Sequence, residues 1–173
     1  MKITLELIVL LILLLIGALT AASETSIVAA SIIKLRRLAT DGSKTAKMIL
    51  KILEVPERFF GTIVVANNIV NSFIASIVTV IIISFIGKNS KSILLATLIS
   101  AFLIIVFEVA AKTLSAGSPV RISLSLVRMV RVLIFIFSPA VKVLSVITNF
   151  IVNLMGGKTK GKPSLVVEDE IKA

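Results

Sequence analysis

Asn67, Asn68 and Asn71 place three amides within five residues of one apolar stretch. Farther along it, Asn68, Ser72 and Ser76 stand at i, i+4 and i+8, with Asn71 and Thr79 on neighbouring rows, so one face of a helix reads polar. Another apolar stretch carries Glu108 and Lys112, an i, i+4 pair in the favourable acid-first order. The first stretch carries Thr20, Ser23, Glu24, Thr25 and Ser26. Amide carbonyls, hydroxyls and a carboxylate make a small oxygen cage of low charge. Mg²⁺ prefers near-octahedral oxygens at roughly 2.0–2.1 Å and sheds water reluctantly, so a carrier must replace part of its water shell with such groups. Cys, His, Trp and Tyr are all absent. That excludes disulfides, thiol nucleophiles, Cys/His metal sites and an imidazole base, and leaves oxygen ligands for hard cations such as Mg²⁺ and Ca²⁺. No Ser–Lys nucleophile motif is recognisable, so an enzyme is not expected.

The same residues have a plainer use. Ser, Thr and Asn also join spans through interhelical hydrogen bonds, worth about 0.6–2 kcal/mol each. Glu108 can be neutralised by Lys112, and Glu24 is open to either role, ligand or partner for basic groups. A carboxylate at membrane depth nevertheless usually marks an ion path or a partner charge.

The elements that must position these groups follow from composition. The chain is 57% hydrophobic and 16% charged, with a mean hydropathy of +1.12, against about 45–50% and 25% in ordinary soluble domains. It is an all-α membrane protein. Residues 3–33, 59–87 and 92–113 read as three spans, joined by a basic segment and by the polar turn Gly87-Lys88-Asn89-Ser90-Lys91. The first run is longer than a signal-peptide core and is followed by Lys34, Arg36 and Arg37, which favours a span over a cleaved leader. Ser43 is the expected N-cap of a short helix, Lys44–Leu53, that Pro56 ends. Residues 120–154 form a last helical stretch, interrupted at Pro139. At 100° per residue Arg121, Arg128, Arg131 and Lys142 fall within an arc of about 80°, opposite Leu126, Val130, Leu133 and Phe137. Crossing the bilayer would bury Arg128 and Arg131 at roughly 2.5–3.5 kcal/mol each, so this helix is expected to lie at the interface, with its apolar face in acyl chains.

Lys and Arg concentrate in 34–58 and from 112 onward, which sets the N-terminus outside and the C-terminus in the cytoplasm of a multi-pass protein of the plasma membrane. Counting about 1.5 Å per residue from the charged flanks brings Glu24 and Asn68 roughly 15 Å deep, near the midplane, and sets Glu108 below it. Residues 1–155 are thus read as a transmembrane domain and 156–173 as a linker. The net charge of +10 does not point to nucleic acid, since the basic helix has no interleaved surface aromatics and its apolar face needs a membrane.

Three segments resemble, in order, the CNNM/CorC magnesium transporters. Thr20-Ala21-Ala22-Ser23-Glu24-Thr25 is similar to their S-x-x-S-E-T stretch, Ala66-Asn67-Asn68-Ile69-Val70-Asn71 to G-N-N-x-x-N, and Glu108-Val109-Ala110-Ala111-Lys112-Thr113 to E-I/V-x-P-K-T. Thr20, Ala66 and Ala111 stand where Ser, Gly and Pro are usual; without that Pro, no break is forced after Glu108. The resemblance implies a homodimer of three spans per subunit that moves Mg²⁺ by alternating exposure of a mid-membrane site, in the direction of export and with Na⁺ as a possible coupling ion. It implies Ser23, Asn67, Asn68, Asn71 and Glu108 as metal ligands, with Thr20, Glu24, Ser72 and Lys112 in support. ATP would enter only through a cytosolic CBS-domain pair, absent here; Ser164–Ile171 resembles the acidic connection that leads to it, so the chain is expected to continue. The competing expectation is a non-transporting membrane anchor or regulatory dimer whose polar residues only pack helices.

Overall fold

The computed structural model describes residues 2–154. Its elements are α1 (Lys2–Ala29), α2 (Ile32–Thr40), α3 (Lys44–Leu53), α4 (Pro56–Ile86), α5 (Ser90–Gly117) and α6 (Pro119–Leu154), with no strand among the described residues. Four segments are long and apolar enough to cross a membrane: Ile3–Ala29, Pro56–Ile86, Ser90–Gly117 and Pro119–Val152. Helices suit that role because each satisfies its own backbone donors and acceptors where water is absent.

Residues through Ser138 form one compact unit. Within it α1, α4 and α5 pack pairwise against one another. Leu10 and Leu14 of α1, Ile74 and Val78 of α4 and Ala96 of α5 make the buried seam. Leu11, Leu15, Phe73, Phe102 and Val109 point outward and are exposed, as the lipid-facing side of a span must be. A second core lies toward the basic end of this bundle. There Ile27 and Ala30 meet Leu35 and Ala39 of α2, Ala46 and Ile49 of α3, Phe59 and Ile63 of α4, and Val127 and Val130 of α6.

Several boundaries differ from those read in the sequence. The first helix ends at Ala29 rather than near residue 33, because Ser31 takes an extended conformation and its Oγ accepts the Lys34 N–H at 3.4 Å, starting α2. Ser43 caps α3 as expected, accepting the Ala46 N–H at 3.3 Å. Pro56 does more than end α3: it opens α4 at the first helical turn, where its missing N–H costs nothing. With Ala111 in place of a proline, α5 runs on through Lys112 to Gly117. The helix of α6 continues through Pro139, where an interruption was expected. Its apolar face is also used differently, since Val127 and Val130 are fully buried in the second core and not presented to acyl chains. Arg121, Arg128 and Arg131 remain exposed on the other side. The unit from Pro139 consists, as far as described, of the rest of α6, with the Ser145 hydroxyl donating to the Val141 carbonyl at 2.8 Å. The linker read over 156–173 lies outside the described residues.

Candidate cation site

The small polar residues of α1 are drawn into the bundle. Thr20, Ser23 and Ser26 are buried at i, i+3 and i+6, and each hydroxyl donates to a carbonyl of its own helix: Thr20 Oγ1 to Gly17 at 2.8 Å, Ser23 Oγ to Thr20 at 2.7 Å, Ser26 Oγ to Ser23 at 3.2 Å. This satisfies the Ser23 and Ser26 donors within α1. Thr20 Oγ1 also contacts Asn67 Oδ1, tying α1 to α4.

Asn67 and Asn71, one helical turn apart on α4, then line a small cavity with Gly17 and Ala18 of α1 and Phe107 and Glu108 of α5. Its volume is about 10 Å³, room for roughly one water molecule. One turn beyond Glu108, Lys112 turns its ammonium back to Glu108 Oε1 at 2.7 Å and reaches Glu24 Oε2 on α1 at 3.7 Å. Two carboxylates from different helices thus share one cation. These are the ion pairs found among the described residues. Glu24 and Lys112 also line a shallow groove of about 330 Å³ with Thr25 and Phe60.

Asn68 is not brought to this cavity. It faces away from α1 and α5, exposed, and lines an open groove of about 340 Å³ with Ser72, Ser76 and Phe73. The polar face read along α4 is therefore two faces: Asn67 and Asn71 turned into the bundle, Asn68 and Ser72 turned out of it. Ser23 is buried beside the cavity's helices without lining it. Gly17 and Phe107 were not read as site residues; their only signal is a position one turn from Thr20 and one residue before Glu108. The Glu24–Lys112 pair was also missed, since no spacing rule connects residues on separate helices.

As a cation site the arrangement offers amide and hydroxyl oxygens and two carboxylates. No group of three or more Asp, Glu, His or Cys that could hold a metal occurs among the described residues. A dication here would keep part of its water shell, as Mg²⁺ characteristically does. A cavity of about 10 Å³ is too small for a partly hydrated ion.

Residues 8–173 match the family described as the cyclin M transmembrane N-terminal domain. The chain is 30% identical over 145 residues to the UPF0053 inner membrane protein YfjD of Escherichia coli strain K12, covering 83% of this chain and 33% of that protein. It is 29% identical over 167 residues to a UPF0053 protein of Haemophilus influenzae, covering 96% of this chain and 39% of that protein. The chain thus spans well under half the length of these relatives. With several long apolar helices and an inner-membrane relative, it is a multi-pass protein of the cell membrane.

Proposed function

The chain belongs to the family of cyclin M transmembrane N-terminal domains, the CNNM/CorC family, and from that premise we propose that it forms the membrane pathway of a Mg²⁺ transporter, working as an exporter. The observation that carries this reading is the meeting of Asn67, Asn71 and Glu108 in one cavity between three apolar helices, with Glu108 and Glu24 both held by Lys112. Without a bound ion the single Lys112 ammonium offsets one of the two carboxylate charges, leaving a net negative charge at the cluster. An arriving dication displaces the ammonium, taking oxygens from Glu108, Asn67 and Asn71 while Thr20 holds the Asn67 amide in place. Alternate parting of α1, α4 and α5 toward the two sides then passes the ion across, and Na⁺ is a suitable coupling ion for the same oxygens.

In this reading α1, α4 and α5 are the three spans, with the N-terminus outside and α6 at the cytoplasmic interface. The clustering of Lys34, Arg36, Arg37, Lys44, Lys47, Lys51 and Arg58 between α1 and α4 supports it. So do Arg121, Arg128 and Arg131, exposed on α6, which would each cost roughly 2.5–3.5 kcal/mol at the centre of a crossing helix. The outward face of α4, with Asn68, Ser72 and Phe73, is then open to a second copy in a homodimer.

The test is Mg²⁺ titration of the detergent-purified protein. Glu108→Gln keeps the shape and removes the charge, so affinity should fall at least roughly tenfold, about 1.4 kcal/mol. Circular dichroism checks that the variant folds. The second reading, a non-transporting anchor or regulatory dimer, is favoured by the internal satisfaction of the α1 hydroxyls and the pairing of Glu108 with Lys112. It requires that Glu108→Gln bind Mg²⁺ as tightly as the parent and that neither carry flux in proteoliposomes.

A further inference from the structure

A second cavity on the first unit lies away from the cation site. It is a cleft of about 480 Å³ at the basic end of the bundle, between the end of α3, the start of α4 and the first half of α6. Its walls have two characters. Lys51, Arg58 and Arg131 bring three cations from three helices, and Glu54 is the one carboxylate among them. None of the three cations is in an ion pair with a described residue. The Arg58 guanidinium is oriented by donating to Ser138 Oγ at 2.8 Å. The rest of the lining is apolar, including Ile52, Phe59, Ile134 and Phe135. Phe135 is 81% exposed although it belongs to this wall.

Cations with no ion pair among the described residues, beside exposed Val55 and Phe135 and at the first turn of an apolar helix long enough to span, match an anion attached to a hydrocarbon chain. A free phosphate would answer the charges and leave Val55 and Phe135 in water. A zwitterionic lipid would cover the wall and add no net charge. Basic pockets between membrane helices favour acidic lipid headgroups for this reason. We infer that this cleft binds one anionic phospholipid, its phosphate among Lys51, Arg58 and Arg131 and its first acyl carbons along the exposed Val55 and Phe135. Such a lipid joins α3, α4 and α6 at the end of the bundle, independently of whether the chain carries Mg²⁺.

The experiment is native mass spectrometry of the whole chain in an uncharged detergent, with phosphatidylglycerol, phosphatidylcholine or inorganic phosphate added separately. One phosphatidylglycerol per chain should be retained at least tenfold more tightly than phosphatidylcholine, and inorganic phosphate should not displace it. Lys51→Gln with Arg131→Gln should weaken phosphatidylglycerol at least tenfold. Arg121→Gln with Arg128→Gln removes the same charge from α6 away from the cleft and should change it less than twofold. Phe135→Ser, at an exposed side chain that folding does not need, should weaken the lipid at least threefold. Equal retention of the two lipids, equal loss in both charge pairs, displacement by phosphate, or full binding by Phe135→Ser would each overturn the assignment.

Discussion

Lys112 sits between two carboxylates that reach it from different helices, at 2.7 Å from Glu108 and 3.7 Å from Glu24. In a low-dielectric setting such an internal cation competes directly with any external one. Lys112→Met should therefore tighten Mg²⁺ binding by roughly tenfold, about 1.4 kcal/mol, as read by titration of the purified protein. Weaker binding by a folded variant would mean that the lysine organises the carboxylates instead of competing for them. The amides make a second contrast. Asn67 lines the cavity and Asn68 faces out, so Asn67→Ala should weaken Mg²⁺ several-fold and Asn68→Ala far less in a dispersed protomer. Equal effects would require Asn68 to reach the ion by another arrangement of α4. The spacing of Glu108 and Lys112 was legible as a local pair because one helix carries both. The inward and outward division of the amides was not, because adjacent residues on a helix lie about 100° apart and only the packing of α1 and α5 decides which of them is enclosed.

At the scale of elements, the caps decide where helices stop. Gly87 adopts φ 87° and ψ 167°, a region essentially reserved for glycine. Two residues later Asn89 Oδ1 accepts the Ser92 N–H at 2.8 Å, while Ser92 Oγ donates to the Gly87 carbonyl at 2.7 Å. The α4–α5 turn is thus held by one backbone conformation and one side-chain cap. Asn89→Ala should cost about 1 kcal/mol and Gly87→Ala more, in the range of about 1–3 kcal/mol. Thermal unfolding in detergent measures both, and a larger loss at Asn89 would reverse their ranking. This turn could be read from the sequence because polar residues interrupt two apolar runs. Ser43 was legible in the same way. Ser31 was not: it lies in an unbroken apolar pattern from Ile27 to Ile33, where hydropathy carries no trace of the cap that ends α1. The apolar face of α6 was found by periodicity, but periodicity cannot tell a lipid from the side chains of α1 to α4, and those are what bury Val127 and Val130.

At the scale of the whole molecule, composition settles that the chain lives in a membrane, and the threading proposed for it rests on charge distribution. The bundle of α1, α4 and α5 has its basic helices α2 and α3 at one end, with the α4–α5 turn following thirty-one residues of α4. A helix of that length reaches about 46 Å at 1.5 Å per residue, enough to carry its two ends beyond a hydrocarbon core of about 30 Å on opposite sides. Ser43 and Asn89 therefore belong to opposite faces of the membrane if α4 crosses. The sequence has no Cys, so a single cysteine introduced at either position reports without background. A membrane-impermeant thiol reagent applied to intact cells should label Asn89→Cys only, and Ser43→Cys should react only after the membrane is opened. Adding Ser125→Cys on α6 separates the remaining possibilities. An interfacial α6 on the basic side predicts that Ser125→Cys behaves like Ser43→Cys, because the exposed arginines around it stay in the headgroups of that leaflet. Labelling of Ser43→Cys and Asn89→Cys from the same side would remove the threading on which the transport pathway depends.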